Sequence, residues 1–255
     1  YNKKNVCSYF KWNEKKPIVI ILAHELTDGN LNNKWNLFNN DMFWLKETLE
    51  KISVIKDVNW LIKPHPSEKV YNSKITTYDL FKKYADNNEN VSLYPENLKI
   101  LISKKIFKCA ITSHGTAGYE FPCAEIPTII CGDTPYSSLG FNIEPKTKSQ
   151  YFDILNNIKK IKEMNILSVK KCRFFLYLKD FICVVKNPLI YESDITMDYN
   201  KEKFWKNSYK ILNKYKNFNK CYEESLSNQI KFNNSILTNV KRNSPINLNL
   251  YKEKI

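Results

Sequence analysis

Between Pro17 and Ala23 the chain runs Ile18-Val19-Ile20-Ile21-Leu22, five aliphatic residues in succession, four of them β-branched. A run this short that never alternates with polar residues suits a strand covered on both faces, and such strands belong to parallel sheets with helical crossovers. The residues that follow keep to that plan. Past a polar loop containing Asp28 and Gly29, Met42, Leu45, Leu49 and Ile52 recur at three- and four-residue spacing, which predicts a helix beginning near Asn40. Asn59-Trp60-Leu61-Ile62 reads as a second strand, stopped by Lys63-Pro64-His65-Pro66. The two prolines remove backbone donors and hold their neighbours extended, so His65 sits in a rigid loop.

A helix over residues 76–85, a strand at Val91-Ser92-Leu93-Tyr94, a short helix over 97–103 and a strand at Phe107-Lys108-Cys109-Ala110-Ile111 come next. That strand stops at Thr112-Ser113-His114-Gly115; Thr116 or Ser113 is placed to cap a helix through Glu120, which Pro122 must bend or shorten. Pro127-Thr128-Ile129-Ile130-Cys131 supplies a fifth strand. Five strands separated by mostly helical segments predict an α/β fold, a doubly wound, Rossmann-like parallel sheet. Beyond Asn142 the pattern turns helical, over 151–161, then 174–185, then 201–237, with a polar tail from Asn239 expected to be loosely ordered. The composition divides the chain into a Rossmann-like unit over 1–145 and a helical region over 146–255.

With 255 residues and 43% hydrophobic content, there is material for a proper core. No Met opens the chain, so a longer parent protein is expected, and no apolar stretch reaches the ~18 residues of a membrane span. Seven scattered cysteines form no Cys-x-x-Cys pair, which fits reduced thiols in a cytoplasmic protein. The formal charge of +14 favours anionic partners, among them nucleotides and the anionic inner face of the cytoplasmic membrane, where peripheral contact is expected. Only Arg173 and Arg242 are arginines, and a face so poor in the usual bidentate reader of bases is not expected to bind nucleic acid specifically.

The histidines narrow the function. Ligands of open parallel sheets bind beyond the carboxyl ends of the strands. His24, His65 and His114, every histidine in the chain, each follow such an end. One histidine in a loop is ordinarily a surface residue, but three of three on one edge point to a site. A metal site is disfavoured, because neither the i, i+4 helical spacing nor a carboxylate cluster accompanies them. Imidazoles facing a phosphate fit better. In Ser113-His114-Gly115-Thr116-Ala117-Gly118-Tyr119-Glu120 the two glycines would let backbone approach a ligand and the following helix would offer N–H groups to an anion. The spacing matches neither a Walker loop nor Gly-x-Gly-x-x-Gly, which disfavours an ATPase or a dinucleotide oxidoreductase. Glu120 could accept bonds from ribose hydroxyls, and Tyr136 or Phe141, beyond Gly132-Asp133-Thr134-Pro135, could stack on a base or sugar. A tight strand-to-helix turn and a turn built by Asp133 and Pro135 are the plainer alternatives.

Trp60-Leu61-Ile62-Lys63-Pro64-His65-Pro66-Ser67-Glu68, followed by His114-Gly115-Thr116-Ala117-Gly118-Tyr119-Glu120, Pro127 and Gly132-Asp133-Thr134-Pro135-Tyr136, resembles the capsule and surface-polysaccharide biosynthesis glycosyltransferases. These include the Kdo transferases and, more distantly, polyol-phosphate polymerases and sialyltransferases with a His-Pro motif. The resemblance covers roughly residues 17–155. It implies the donor-binding half of a GT-B protein, with Lys63, His65, Ser113, His114, Gly115, Thr116 and Gly118 around the phosphates of a CMP-, CDP- or UDP-linked sugar. Glu120 and Tyr136 would lie at the ribose and base, and His24 with Asp28 at the acceptor, one of them as base. The acceptor would be a glycan or glycolipid. That mechanism needs neither metal nor other cofactor, since imidazoles and backbone dipoles would stabilise the departing phosphate. Two departures from the family stand out: Glu125 where glycine is common, and Pro122 inside a helix that is usually regular. Only one Rossmann-like unit is evident where GT-B enzymes have two. A CDP-polyol phosphotransferase or a nucleotide-sugar epimerase would use the same phosphate site, and a basic, non-catalytic polyanion-binding module is the rival of another class.

Overall fold

The computed structural model describes residues 2–26, 36–70, 73–95 and 102–179, together with 202, 206, 209 and 210. The chain divides into two compact units, Tyr1–Leu176 and Tyr177–Ile255. Most of the expected helices over 201–237 and 97–103, half of that over 174–185 and the tail from Asn239 fall outside the described residues, as does Asp28. Residues 202, 206, 209 and 210 have helical backbone.

In the first unit the five expected strands are present: β1 (Ile18–Leu22), β2 (Asn59–Lys63), β3 (Val91–Leu93), β4 (Phe107–Thr112) and β5 (Thr128–Ile130). They form one sheet in the order β3-β2-β1-β4-β5, every pairing parallel. Because side chains alternate across a strand, the aliphatic runs feed two cores. Val19, Ile21, Trp60, Ile62, Cys109, Ile111 and Ile129 face one side. There they meet α2 (Asp41–Ser53), α4 (Thr77–Tyr84) and α6 (Lys148–Asn156) through residues such as Trp44, Leu49, Phe81 and Tyr151. Ile18, Ile20, Leu61, Phe107 and Ala110 face the other side, against α1 (Lys3–Tyr9) and α5 (Ala117–Cys123). The sheet is therefore doubly wound, with β1 at its centre.

Local signals explain the helix boundaries. Asn40 Oδ1 accepts from Phe43 N at 2.9 Å and starts α2 where the apolar spacing begins. Thr76 and Asp79 close a reciprocal capping box at the start of α4. Thr147 caps α6, which begins three residues before the expected Tyr151 and gives way to a 3₁₀ turn at Ile158–Lys160. Two helices carried too little pattern to be anticipated: α1, capped by Asn2 and anchored by Val6 and Cys7, and the single turn α3 (Ser67–Val70) behind the His-Pro loop. A further helix, α7 (Ile166–Tyr177), buries Val169 and Cys172. Among the described residues no helix is long and apolar enough to cross a membrane.

Candidate functional site

The register of the sheet lines up the ends of three neighbouring strands. Leu22 of β1 is paired with Lys63 of β2 on one side and with Thr112 of β4 on the other. Each histidine lies two residues beyond one of these aligned positions, so His24, His65 and His114 emerge side by side at the carboxyl edge. The ring centroids of His24 and His114 are 3.9 Å apart and those of His24 and His65 are 5.4 Å apart. All three rings are partly accessible.

Each ring has its own setting. Ser67 N donates to His65 Nδ1 at 3.2 Å, which places that ring's proton on Nε2 as a donor. His24 Nδ1 lies 3.1 Å from the carbonyl oxygen of Glu25. Beneath His24 and His114 stands Asp41, the first residue of α2 and almost fully buried. Its two oxygens lie 3.6 Å from Nδ1 of His24 and 3.6 Å from Nδ1 of His114. A helix N-terminus favours a carboxylate at that position. His24, Asp41 and His114 together could hold a metal ion, with one donor atom from each within 4.8 Å of the others.

The loop from Ser113 to Thr116 is fastened at successive carbonyls. Thr112 Oγ1 donates to His114 O at 2.7 Å, and the Tyr136 hydroxyl donates to Gly115 O. Gly115 takes φ +100°, a conformation that an L side chain rarely adopts, and a Cβ there would sit 3.7 Å from His24 Cδ2. The Ser113 hydroxyl is buried with no hydrogen-bond partner among the described residues. Neither it nor Thr116 caps α5, contrary to the expectation from sequence, because Thr116 has αR rather than extended backbone and makes no side-chain cap bond. The N–H groups of Gly118, Tyr119 and Glu120 are engaged with Gly115 O and Thr116 O inside the turn.

Gly118 serves packing. A Cβ at this position would fall 2.6 Å from Cε2 and Cζ of Tyr136. Tyr136 and Phe141 are both buried, in an aromatic group with Tyr119 and Phe175, which is where the structure puts the two rings considered for base stacking. Pro122 lies inside α5 and ends it within two residues. The carbonyl it leaves without an intrahelical donor, Gly118 O, accepts instead from Asn142 Nδ2 at 2.8 Å. Glu125, at the position where the resembled family commonly has glycine, has φ +65°, the left-handed conformation that follows a helix end and favours glycine.

The remaining candidates spread outward. Lys63 is exposed, with Nζ 5.3 Å from the centre of the Tyr94 ring. Thr116 is exposed beside the loop and Glu120 is exposed on α5. Asp41 was not singled out from sequence; its signal was an acidic residue directly after an Asn cap, which reads as ordinary helix capping. Glu25 and Glu68 were also missed. Glu25 is fully buried beside His24 and accepts from Ser73 Oγ. Glu68 accepts from Thr77 N at 3.1 Å and from the Thr77 hydroxyl. Burial pushes the Glu68 carboxyl above its ordinary value; the Thr77 bonds oppose that shift and the Glu25 charge adds to it.

No family model matches the sequence, and no curated protein matches it. Among solved structures, three similar ones are distant. The S. aureus MnaA–UDP co-structure is 10% identical over 66% of this chain and 42% of that one, with a TM-score of 0.41. A UDP-N-acetylglucosamine 2-epimerase is 13% identical over 66% of this chain and 39% of its own, at 0.39. The beta Kdo 2,4 transferase KpsC of Thermosulfurimonas dismutans is 14% identical over 63% of this chain and 45% of its own, at 0.39. The chain spans less than half the length of each.

Proposed function

We propose that this chain carries the donor site of a glycosyltransferase that takes a sugar from a nucleotide-activated donor. The observation that carries the reading is the convergence of three imidazoles, from three adjacent strand ends, around a loop pinned at its carbonyls. Cleavage of a sugar–nucleotide bond leaves charge on a phosphate oxygen. Fixed donors placed where that charge grows stabilise it without reorganisation. In this reading His65 Nε2–H and the ring of His114 face the diphosphate, and the buried Ser113 hydroxyl is available to a phosphate oxygen. His24, between them, is the group for the acceptor hydroxyl. The 1–145 region carries the donor nucleotide, and the acceptor is a glycan or glycolipid reached at the carboxyl edge.

The test is a thermal-shift and calorimetric screen of UDP-, CMP- and CDP-linked sugars. A ligand at a hundred times its Kd stabilises by about 2.7 kcal/mol, or roughly 5–10 °C in a domain of this size. His65→Ala and His114→Ala should each weaken the best donor at least tenfold while far-UV dichroism stays unchanged. Equal affinity in wild type and both variants, or binding of any polyanion with affinity falling steeply in salt, would refute the donor reading.

A further inference from the structure

The arrangement of His24, Asp41 and His114 has a chemistry of its own, independent of any nucleotide. The three residues come from three separate places in the chain: the loop after β1, the first position of α2 and the loop after β4. The sheet register and the cap of α2 bring them to one point. We propose that they form a binding site for a divalent transition-metal cation, of the zinc class, with at least one coordination position open at the carboxyl edge of the sheet.

Distance puts both imidazoles at the Asp41 carboxylate. The two nitrogen–oxygen gaps are 3.6 Å each, longer than the ~2.7–3.2 Å of a hydrogen bond. Each gap runs to a different oxygen of the Asp41 carboxylate, and each is close to the ~3.4 Å edge of a tetrahedron whose ligands stand ~2.1 Å from a central zinc. One ligand atom from each residue lies within 4.8 Å of the others. The donor types agree: two imidazoles with one carboxylate select a transition metal over magnesium or calcium, which prefer all-oxygen shells.

The surroundings support the same assignment. Asp41 is 2% exposed, and His24 and His114 are 15% and 12% exposed at their side chains, so the carboxylate is deep and the rings open outward. Three protein ligands leave a fourth position, the arrangement of sites that bind a water or a substrate oxygen as well as the metal. A dication on one carboxylate and two neutral rings leaves a net charge of +1 at the opening. That is an electrophilic spot for an anionic oxygen, whatever molecule carries it. His65, with its ring 5.4 Å from that of His24, stands beside the set rather than in it. The sequence disfavours a metal because neither the i, i+4 helical spacing nor a carboxylate cluster accompanies the histidines; the ligands here are contributed by different elements.

The experiment needs no nucleotide. The full chain, in a Cys123→Ser background, is stripped with a chelator, dialysed, and titrated with Co(II) and with Zn(II). The background removes the thiol pair Cys123 and Cys172, whose sulfurs lie 3.3 Å apart, as a rival metal site. The readouts are metal content by elemental mass spectrometry, the visible ligand-field spectrum of Co(II), and melting temperature. One equivalent per chain is expected, with a Co(II) spectrum of four- or five-coordinate type and a higher melting temperature with Zn(II). Asp41→Asn and His114→Ala should each lower affinity at least tenfold and abolish the spectrum, whereas His65→Ala should leave both in place. Far-UV dichroism identifies a variant that has lost its fold, and the wild-type titration stands without any variant. Less than one equivalent in the foldable wild-type ligand set overturns the proposal, as does uptake insensitive to Asp41→Asn and His114→Ala. A chain that binds Co(II) but no nucleotide sugar keeps the cation site and refutes the donor reading; the reverse result does the opposite.

Discussion

Gly118→Ala is the substitution whose sign the structure predicts against ordinary expectation. In a helix, glycine to alanine gains up to about 1 kcal/mol from propensity. At residue 118 the new methyl would stand 2.6 Å from two carbons of the Tyr136 ring, about 1 Å inside normal carbon contact. Tyr136 has no free direction of retreat, because Tyr119, Phe141 and Phe175 pack around it with centroid distances of 5.6, 6.0 and 5.7 Å. Overpacking of this kind costs about 1–3 kcal/mol, and pushing the ring aside would also strain the bond from its hydroxyl to Gly115 O, worth about 1 kcal/mol. Set against the propensity gain, the net effect is a loss of about 1–3 kcal/mol. Urea denaturation of wild type, Gly118→Ala, Tyr136→Leu and the double variant measures it. With the ring gone, Gly118→Ala should become neutral or favourable, giving a coupling of about 1–3 kcal/mol. A Gly118→Ala protein more stable than wild type, or a coupling near zero, would show that the close approach of glycine and tyrosine is not what this helix is built around.

Two further predictions concern stability. Thr48 and Tyr151 share a fully buried hydrogen bond of 2.9 Å between α2 and α6, so Tyr151→Phe should cost about 1–3 kcal/mol in denaturant unfolding. Adding Thr48→Val should recover part of that loss, and no recovery would mean the hydroxyl pair is not the cause. Glu68, whose folded carboxyl titrates above its ordinary value because of burial, makes the folded state hold its proton longer than the unfolded chain does. Its contribution to stability is therefore greatest at low pH and is lost as pH rises from the ordinary glutamate value through the raised one. Glu68→Gln keeps an acceptor for Thr77 and should flatten the stability profile upward from the ordinary glutamate pKa of about 4.3. Parallel profiles for wild type and variant would reject the assignment.

The strands were legible because aliphatic runs such as Ile18-Val19-Ile20-Ile21-Leu22 admit few other readings, and α2 because Asn40 caps where the apolar spacing begins. The same one-dimensional logic placed the histidines on one edge. It could not reveal Asp41, since the contact between residue 41 and residues 24 and 114 depends on how the N-terminus of α2 docks against the sheet. Tyr136 followed a strand end and seemed by position a ligand contact; its burial is decided by α5 and α7, whose Tyr119 and Phe175 close over it. Glu125 illustrates a third kind of gap. The residue holds a positive φ that favours glycine, and only the backbone angle shows it.

The alignment of Leu22, Lys63 and Thr112 gives the site a scale that no side chain sets. Neighbouring strands stand about 4.7–4.9 Å apart in any sheet, and the ring separations of 3.9 and 5.4 Å fall on either side of that pitch. The backbone ladder thus acts as a ruler, and the loops that carry the histidines are graduations upon it. Variation in helix length or surface charge leaves the graduations where they are. A single residue inserted between a strand end and its histidine would displace one ring and spare the other two, so the three positions can be adjusted one at a time.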